Sequence, residues 1–113
     1  GTPLIEQPFV LCHRSRIGEV WIRGQFDFVV DGGLIIHLKT DREIAPSRHA
    51  LQMFLYRRAA RALFGRPATS AVHYLRYGVS EVVDTEFTDE EIDRVIDGVI
   101  DGATERIPGS SIQ

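Results

Sequence analysis

Residues 34 to 40 read LIIHLKT. The apolar residues suit a strand entering a core, and because strand side chains alternate with period two, His37 and Lys39 fall on one face. A carboxylate at position 37 would complete an acid-x-lysine strand end, an arrangement suited to holding a divalent ion beside an ammonium group. Imidazole brings no negative charge and prefers softer metals such as Zn²⁺ or Mn²⁺, so the chemistry of this strand turns on that residue. Lys39 stands out as well. It is the sole lysine among thirteen basic residues, the rest being arginine, and an ammonium is a compact charge whose pKa shifts readily with its surroundings.

Asp27, in the preceding apolar run, could converge with Lys39 because their strands would be neighbours. It reads either as a solvent-facing strand position or as a site residue, and aspartate is disfavoured in strands. His13, His49 and His73 show no helical ligand spacing, and with Cys12 as the only cysteine there is no thiol cluster to recruit them to zinc. They read as background. Ser15, Ser70 and Ser80 lack the context of a nucleophile elbow, and no glycine-rich loop of the phosphate-cradling kinds occurs.

Positioning these groups falls to a short series of elements. Residues 8 to 17 and 19 to 30 have the β-branched and aromatic content of strands, with Ile17-Gly18-Glu19 as a turn. In the second, Ile22, Phe26 and Phe28 share one face and Arg23, Gln25 and Asp27 the other. Asp31-Gly32-Gly33 predicts a hairpin into a third strand at 34 to 39, giving an antiparallel meander. A helix follows from about Ser47 to Phe64, ended by Gly65, with Leu51, Phe54, Leu55, Ala59, Ala62 and Leu63 as its apolar stripe and Arg57, Arg58 and Arg61 off it. Strands at 70 to 77 and 79 to 83 come next, the first a crossover return parallel to the meander. Thr88-Asp89-Glu90-Glu91 is a capping box opening a last helix with Ile92, Val95, Ile96, Val99, Ile100 and Ala103 at helical spacing. Beyond Pro108 the tail reads as frayed. The class expected is α+β with a mixed sheet.

The 113 residues suit a single domain with one core. No apolar run approaches the roughly 20 residues of a membrane span, no signal peptide opens the chain, and the lone cysteine suits a reducing compartment, so a cytoplasmic location is expected. Net charge is −3, but residues 1 to 78 hold eleven basic and six acidic residues and the remainder two basic and ten acidic. Such polarity permits a nucleic-acid-facing surface on the first part.

Five short stretches, in this order, resemble the PD-(D/E)XK nuclease superfamily, in particular its RecB-like branch, which includes exonuclease V, helicase-nucleases and CRISPR-associated nucleases. They are Glu6-Gln7-Pro8-Phe9, Gly24-Gln25-Phe26-Asp27, Ile36-His37-Leu38-Lys39-Thr40, Gln52-Met53-Phe54-Leu55-Tyr56 and Tyr74-Leu75-Arg76-Tyr77-Gly78. The resemblance implies a restriction-endonuclease-like sheet and metal-dependent phosphodiester hydrolysis with Mg²⁺ or Mn²⁺. It implies Asp27 as the first metal-binding acid and Lys39 as the active-site lysine. Gln52 and Tyr56, one helical turn apart, would position the DNA and that lysine. The second metal-binding acid is replaced by His37, which reads as a hydrogen-bonded structural residue in preference to a metal ligand.

The family's first helix is also missing from the sequence, so residues 1 to 113 are expected to be one nuclease-fold module of a larger recombination or repair protein. DNA is its expected partner, helicase domains are further candidates, and metal binding should be weak and activity impaired. The alternatives are an active nuclease using His37 as a ligand and a non-catalytic protein-interaction domain.

Overall fold

The β-branched and aromatic runs of the first forty residues build three consecutive strands, β1 (Leu4–Ser15), β2 (Gly18–Val30) and β3 (Leu34–Lys39). They pair as an antiparallel meander. The computed structural model describes residues 4–15, 18–31 and 33–106. Ile17 of the expected turn, Gly32 of the expected hairpin and the tail beyond Pro108 lie outside the described residues.

A 3-10 turn at Pro46–His49 leads into α1 (Ala50–Phe64). Gly65 ends the helix: its φ of 76° is the left-handed conformation that glycine adopts at least cost, and its N–H donates to Arg61 O at 2.8 Å. The chain then returns as β4 (Thr69–Tyr74), parallel to β3, and reverses into β5 (Val79–Val82). The sheet order is β1-β2-β3-β4-β5. A meander joined through a crossover helix to a parallel strand is the α+β mixed sheet that the sequence predicts.

The core lies between this sheet and α1. Phe26, Val29, Ile35, Met53, Ala60, Val72 and Tyr74 are wholly or almost wholly buried there. Phe9 stacks on Phe26 at 4.6 Å between ring centroids, and both meet the edge of Tyr56. Gly24 makes this stack possible, since a Cβ there would come within 2.3 Å of the Phe9 ring.

Strict alternation in β2 fails at Asp27. Phe26 and Val29, three residues apart, are both core residues, whereas Phe28 is only half-buried. Glu6 in β1, flanked by the pairs Ile5↔Phe28 and Gln7↔Phe26, has a φ of 56°. The left-handed residue kinks the ribbon at this level, and the face that takes Phe26 on one side of the kink takes Asp27 and Val29 on the other. Asp27 is thus brought to the helix side, instead of sharing an outer face with Arg23 and Gln25.

Helix α1 is likewise rotated from the expected stripe. Met53, Phe54, Tyr56, Arg57, Ala59 and Ala60 are buried, and Ala62 and Leu63 are exposed. The cause is Arg57. Its guanidinium reaches Ser70 Oγ at 2.7 Å, Val83 O at 2.6 Å and Thr85 O at 2.5 Å, so the arginine is drawn inward by acceptors that only the tertiary structure supplies.

The last helix, α2 (Asp89–Arg106), opens with the predicted capping box. Thr88 N–H donates to Glu91 Oε1 at 3.0 Å, and Glu91 N–H donates to Thr88 Oγ1 at 3.2 Å. Hydrogen bonds to Thr88 hold the Glu91 carboxyl below its usual range. Its first turns dock most closely: Ile92 is buried, His13 meets Asp93 at 2.8 Å and Arg58 meets Asp89 at 3.2 Å, whereas Ile96 and Ile100 are half-buried and Val95 is 45% and Val99 66% exposed. The predicted stripe is thus covered along Ile92, Ile96 and Ile100 and open at Val95 and Val99. No helix among the described residues is long and apolar enough to cross a membrane.

Candidate functional site

Asp27 and His37 face one another across the β2–β3 ladder, one step beyond the pair Phe28↔Ile36. Asp27 Oδ2 accepts the N–H of Leu38 at 2.8 Å and lies 3.0 Å from His37 Nδ1. The carboxylate is close to the imidazole but out of line for a hydrogen bond, and both ring nitrogens of His37 are buried without a hydrogen-bond partner.

Above this pair lies α1. The Tyr56 ring stands edge-on to His37 at 5.6 Å between centroids, and its hydroxyl accepts a hydrogen bond from Gln52 Nε2 at 3.1 Å. Lys39 follows two residues along β3, its carbonyl bound by Leu75 N–H at 2.9 Å. Its ammonium is near enough to oppose a charge on His37. Four residues from three separate stretches of sequence are therefore gathered within a side chain or two of His37.

The electrostatics favour a neutral imidazole. Burial is the largest influence and lowers the His37 pKa from its ordinary 6.5; Lys39 and His49 lower it further, and the Asp27 carboxylate pulls the other way without overcoming them. A pocket of about 270 Å³, lined by Phe9, Ile22, Arg23, Leu55, Gln52 and Tyr56 among others, opens beside the cluster between α1 and the β1–β2 ribbon.

His49 belongs to this neighbourhood, contrary to its reading as background. It is 7% exposed; its ring is 6.3 Å from that of His37, and its Nε2 lies 3.3 Å from Asp41 Oδ2 and has no hydrogen bond. The signal was present in the spacing of His49, Gln52 or Met53, and Tyr56, which are neighbours on one helix face. His13 and His73 stay apart, His13 on Asp93 and His73 on Ser80 Oγ at 2.7 Å.

As a metal-binding set, Asp27 and His37 offer one carboxylate and one imidazole beside the Lys39 ammonium. Among the described residues no group of three or more His, Cys, Asp or Glu is arranged to hold a metal ion. Mg²⁺ favours several hard oxygen ligands and does not fit this pair; an imidazole with unpartnered nitrogens suits Mn²⁺ or Zn²⁺ better.

No protein-family model and no curated protein matches the chain. Among solved structures it is similar to the crystal structure of SSO0001, with a TM-score of 0.64 and 16% identity over 87% of this chain and 49% of that one. The likeness is one of fold, and the chain spans about half the length of that neighbour.

Proposed function

We propose that this chain is a RecB-like nuclease-fold module of a DNA-processing protein of the recombination or repair kind, with weakened metal-dependent phosphodiesterase activity and retained affinity for DNA. The observation that carries the reading is the meeting of Asp27 and His37 at 3.0 Å beneath Tyr56. These residues correspond to the resemblance's first acid, its replaced second acid and its helix motif. The imidazole is buried against that carboxylate with no hydrogen bond at Nε2, an arrangement that costs stability.

The donor set explains the weakening. A second carboxylate would neutralise and bridge divalent ions; neutral imidazole in its place leaves Asp27 alone against Lys39. Asp27 is further committed to the Leu38 N–H. What remains is a surface able to bind a phosphodiester through Lys39 and to orient it against Gln52 and Tyr56. Helicase domains, of the same chain or a complex, are the partners such a module would serve.

The test is cleavage of linear DNA by the wild-type protein and by His37→Asp, in Mg²⁺ and in Mn²⁺, with divalent-ion binding followed by calorimetry. Wild type should cleave little in Mg²⁺, and His37→Asp should bind the ion more tightly. Robust wild-type digestion in Mg²⁺ that is lost in Lys39→Ala would refute a weakened site. One observation favours a second reading, an active nuclease that recruits His37 as ligand: the two unpartnered ring nitrogens. Strong Mn²⁺ binding by wild type that His37→Ala abolishes would select it. A third outcome, no affinity for DNA in any form, would leave only a protein-interaction domain.

A further inference from the structure

On the far side of α1 from His37, toward the helix C-terminus, a cavity of about 320 Å³ is lined by Arg57, Arg58, Arg61, Phe54, Phe87 and Glu86, with Pro67 and Ala68 closing it. We propose that this cavity is a phosphate-binding site, for inorganic phosphate or the phosphate of a nucleotide.

The argument begins with the donor count of Arg57. A guanidinium has five N–H groups. Three of the five on Arg57 are taken, by Ser70 Oγ, Val83 O and Thr85 O, all neutral acceptors. The Nε–H and one Nη2–H remain, donors that an oxyanion could take. The arginine is 9% exposed, and no carboxylate forms an ion pair with it among the described residues. Glu86 and Asp84 act on it only through space, so its hydrogen bonds are stabilising while its charge, beside the cavity, has no direct counter-ion.

Its neighbours point the same way. Arg58 is held in place with its guanidinium over the Phe54 ring at 4.9 Å and bonded to Asp89 at 3.2 Å. Arg61, one turn beyond Arg57, is exposed and has no ion-pair partner among the described residues. Three guanidiniums around one space match the charge and oxygen count of a phosphate better than the single charge of a carboxylate. Phe87, half-buried and edge-to-face with Phe54 at 5.5 Å, is the aromatic surface left for a base, since the Phe54 ring lies buried under Arg58.

Glu86 is the one acid in the lining and acts on Arg57 only through space. It would weaken an anion's hold, so removing its charge should strengthen binding. This opposite-signed effect separates a phosphate site from a structural arginine cluster. None of these residues takes part in the Asp27–His37 pairing, so the inference stands apart from the proposed nuclease activity.

The experiment follows the arginine Nε–H signals by NMR in the 113-residue protein during titration with inorganic phosphate, adenosine monophosphate and adenosine. The expected result is saturable binding of phosphate in the millimolar range, with the Arg57 Nε–H shifting. Arg61→Gln should weaken it about tenfold, the loss of one charge-assisted contact, and Glu86→Gln should tighten it. Tighter binding of the nucleotide than of phosphate, with none of adenosine, assigns the site to nucleotides; equal binding of the two assigns it to free phosphate. No saturation by either anion, or binding unmoved by both variants, overturns the proposal. Asp27→Asn should leave the titration unchanged, which keeps this outcome separate from that of the nuclease reading.

Discussion

Two buried polar groups flank α1, and their surroundings are opposite. Arg57 has three of its five N–H groups on acceptors, bonds that tie the helix to β4 and to the segment leading into α2. His37 is equally buried at 8% exposure, yet neither ring nitrogen has a hydrogen bond and its nearest carboxylate is out of line. The first arrangement lowers the free energy of the fold. The second raises it, since a buried polar group without a partner costs about 1–3 kcal/mol. Polar groups that stabilise a fold and polar groups retained at its expense can therefore be told apart by their partners, though not by their burial.

The largest expected effect tests the stabilising side. Arg57→Met should fit the space but strand Thr85 O, leave Val83 O with Ser70 Oγ alone and release the segment at 83–85 from α1, at a cost of about 2–3 kcal/mol. Against a total stability of about 5–15 kcal/mol for a domain of this kind, that should lower the denaturation midpoint severely. A change under about 1 kcal/mol by urea unfolding would mean that the three bonds are incidental.

The other side of the comparison predicts a gain. His37→Leu replaces the unpartnered imidazole with an apolar side chain among Tyr56 and the neighbouring core, and should stabilise the protein by about 1–2 kcal/mol. Asp27 keeps its bond from Leu38 N–H and its partial exposure, so no new buried charge is stranded. Stabilisation together with loss of DNA affinity would identify His37 as a residue kept for function. Destabilisation would show that the contact with Asp27 contributes more than its geometry suggests.

How far the sequence led depended on the range of the interactions involved. Strand and helix order, the Gly65 stop and the Thr88 capping box depend on neighbours within four residues, and all were legible. The pairing of Asp27 with His37 followed from adjacent strands, but the face assigned to Asp27 did not: strict alternation placed it with Arg23 and Gln25, and the kink opposite Glu6, at φ 56°, has no local marker. Arg57 was misplaced for a related reason. Its acceptors at 70, 83 and 85 come from three later points in the chain, and hydrophobic periodicity assigns an arginine outward. His49 has no second histidine at ligand spacing to mark it, and its neighbours on the helix face are Gln52 and Tyr56.

A smaller effect sharpens the contrast between the two sides of α1. Thr88→Ala removes the hydroxyl that accepts Glu91 N–H, and should cost about 1 kcal/mol. Because α2 docks chiefly by its first turns, the loosening should be felt along the segment that carries Thr85 and Phe87, next to Arg57. Hydrogen exchange should quicken in α2 and β5 and stay unchanged at Leu38, whose N–H is held by Asp27 on the opposite side. Equal acceleration at Leu38 would show the two regions to be one cooperative unit.

The smallest effect concerns pH and follows from the direction of the His37 shift. Burial, with Lys39 and His49, holds its pKa in the folded protein below the ordinary 6.5. Between the folded and unfolded values the unfolded chain therefore binds a proton that the folded chain refuses, and stability rises with pH through that window. Read downward, acidification below about pH 6.5 should erode stability until the folded-state pKa is passed, after which His37 contributes no further slope. His37→Leu removes this group, so its stability should fall less steeply than that of wild type from pH 7 to pH 5.5. Parallel slopes in urea-unfolding series across that range would mean that the pull of Asp27 cancels the effect of burial, and that the imidazole is as ready to take a proton in the folded protein as in the unfolded chain.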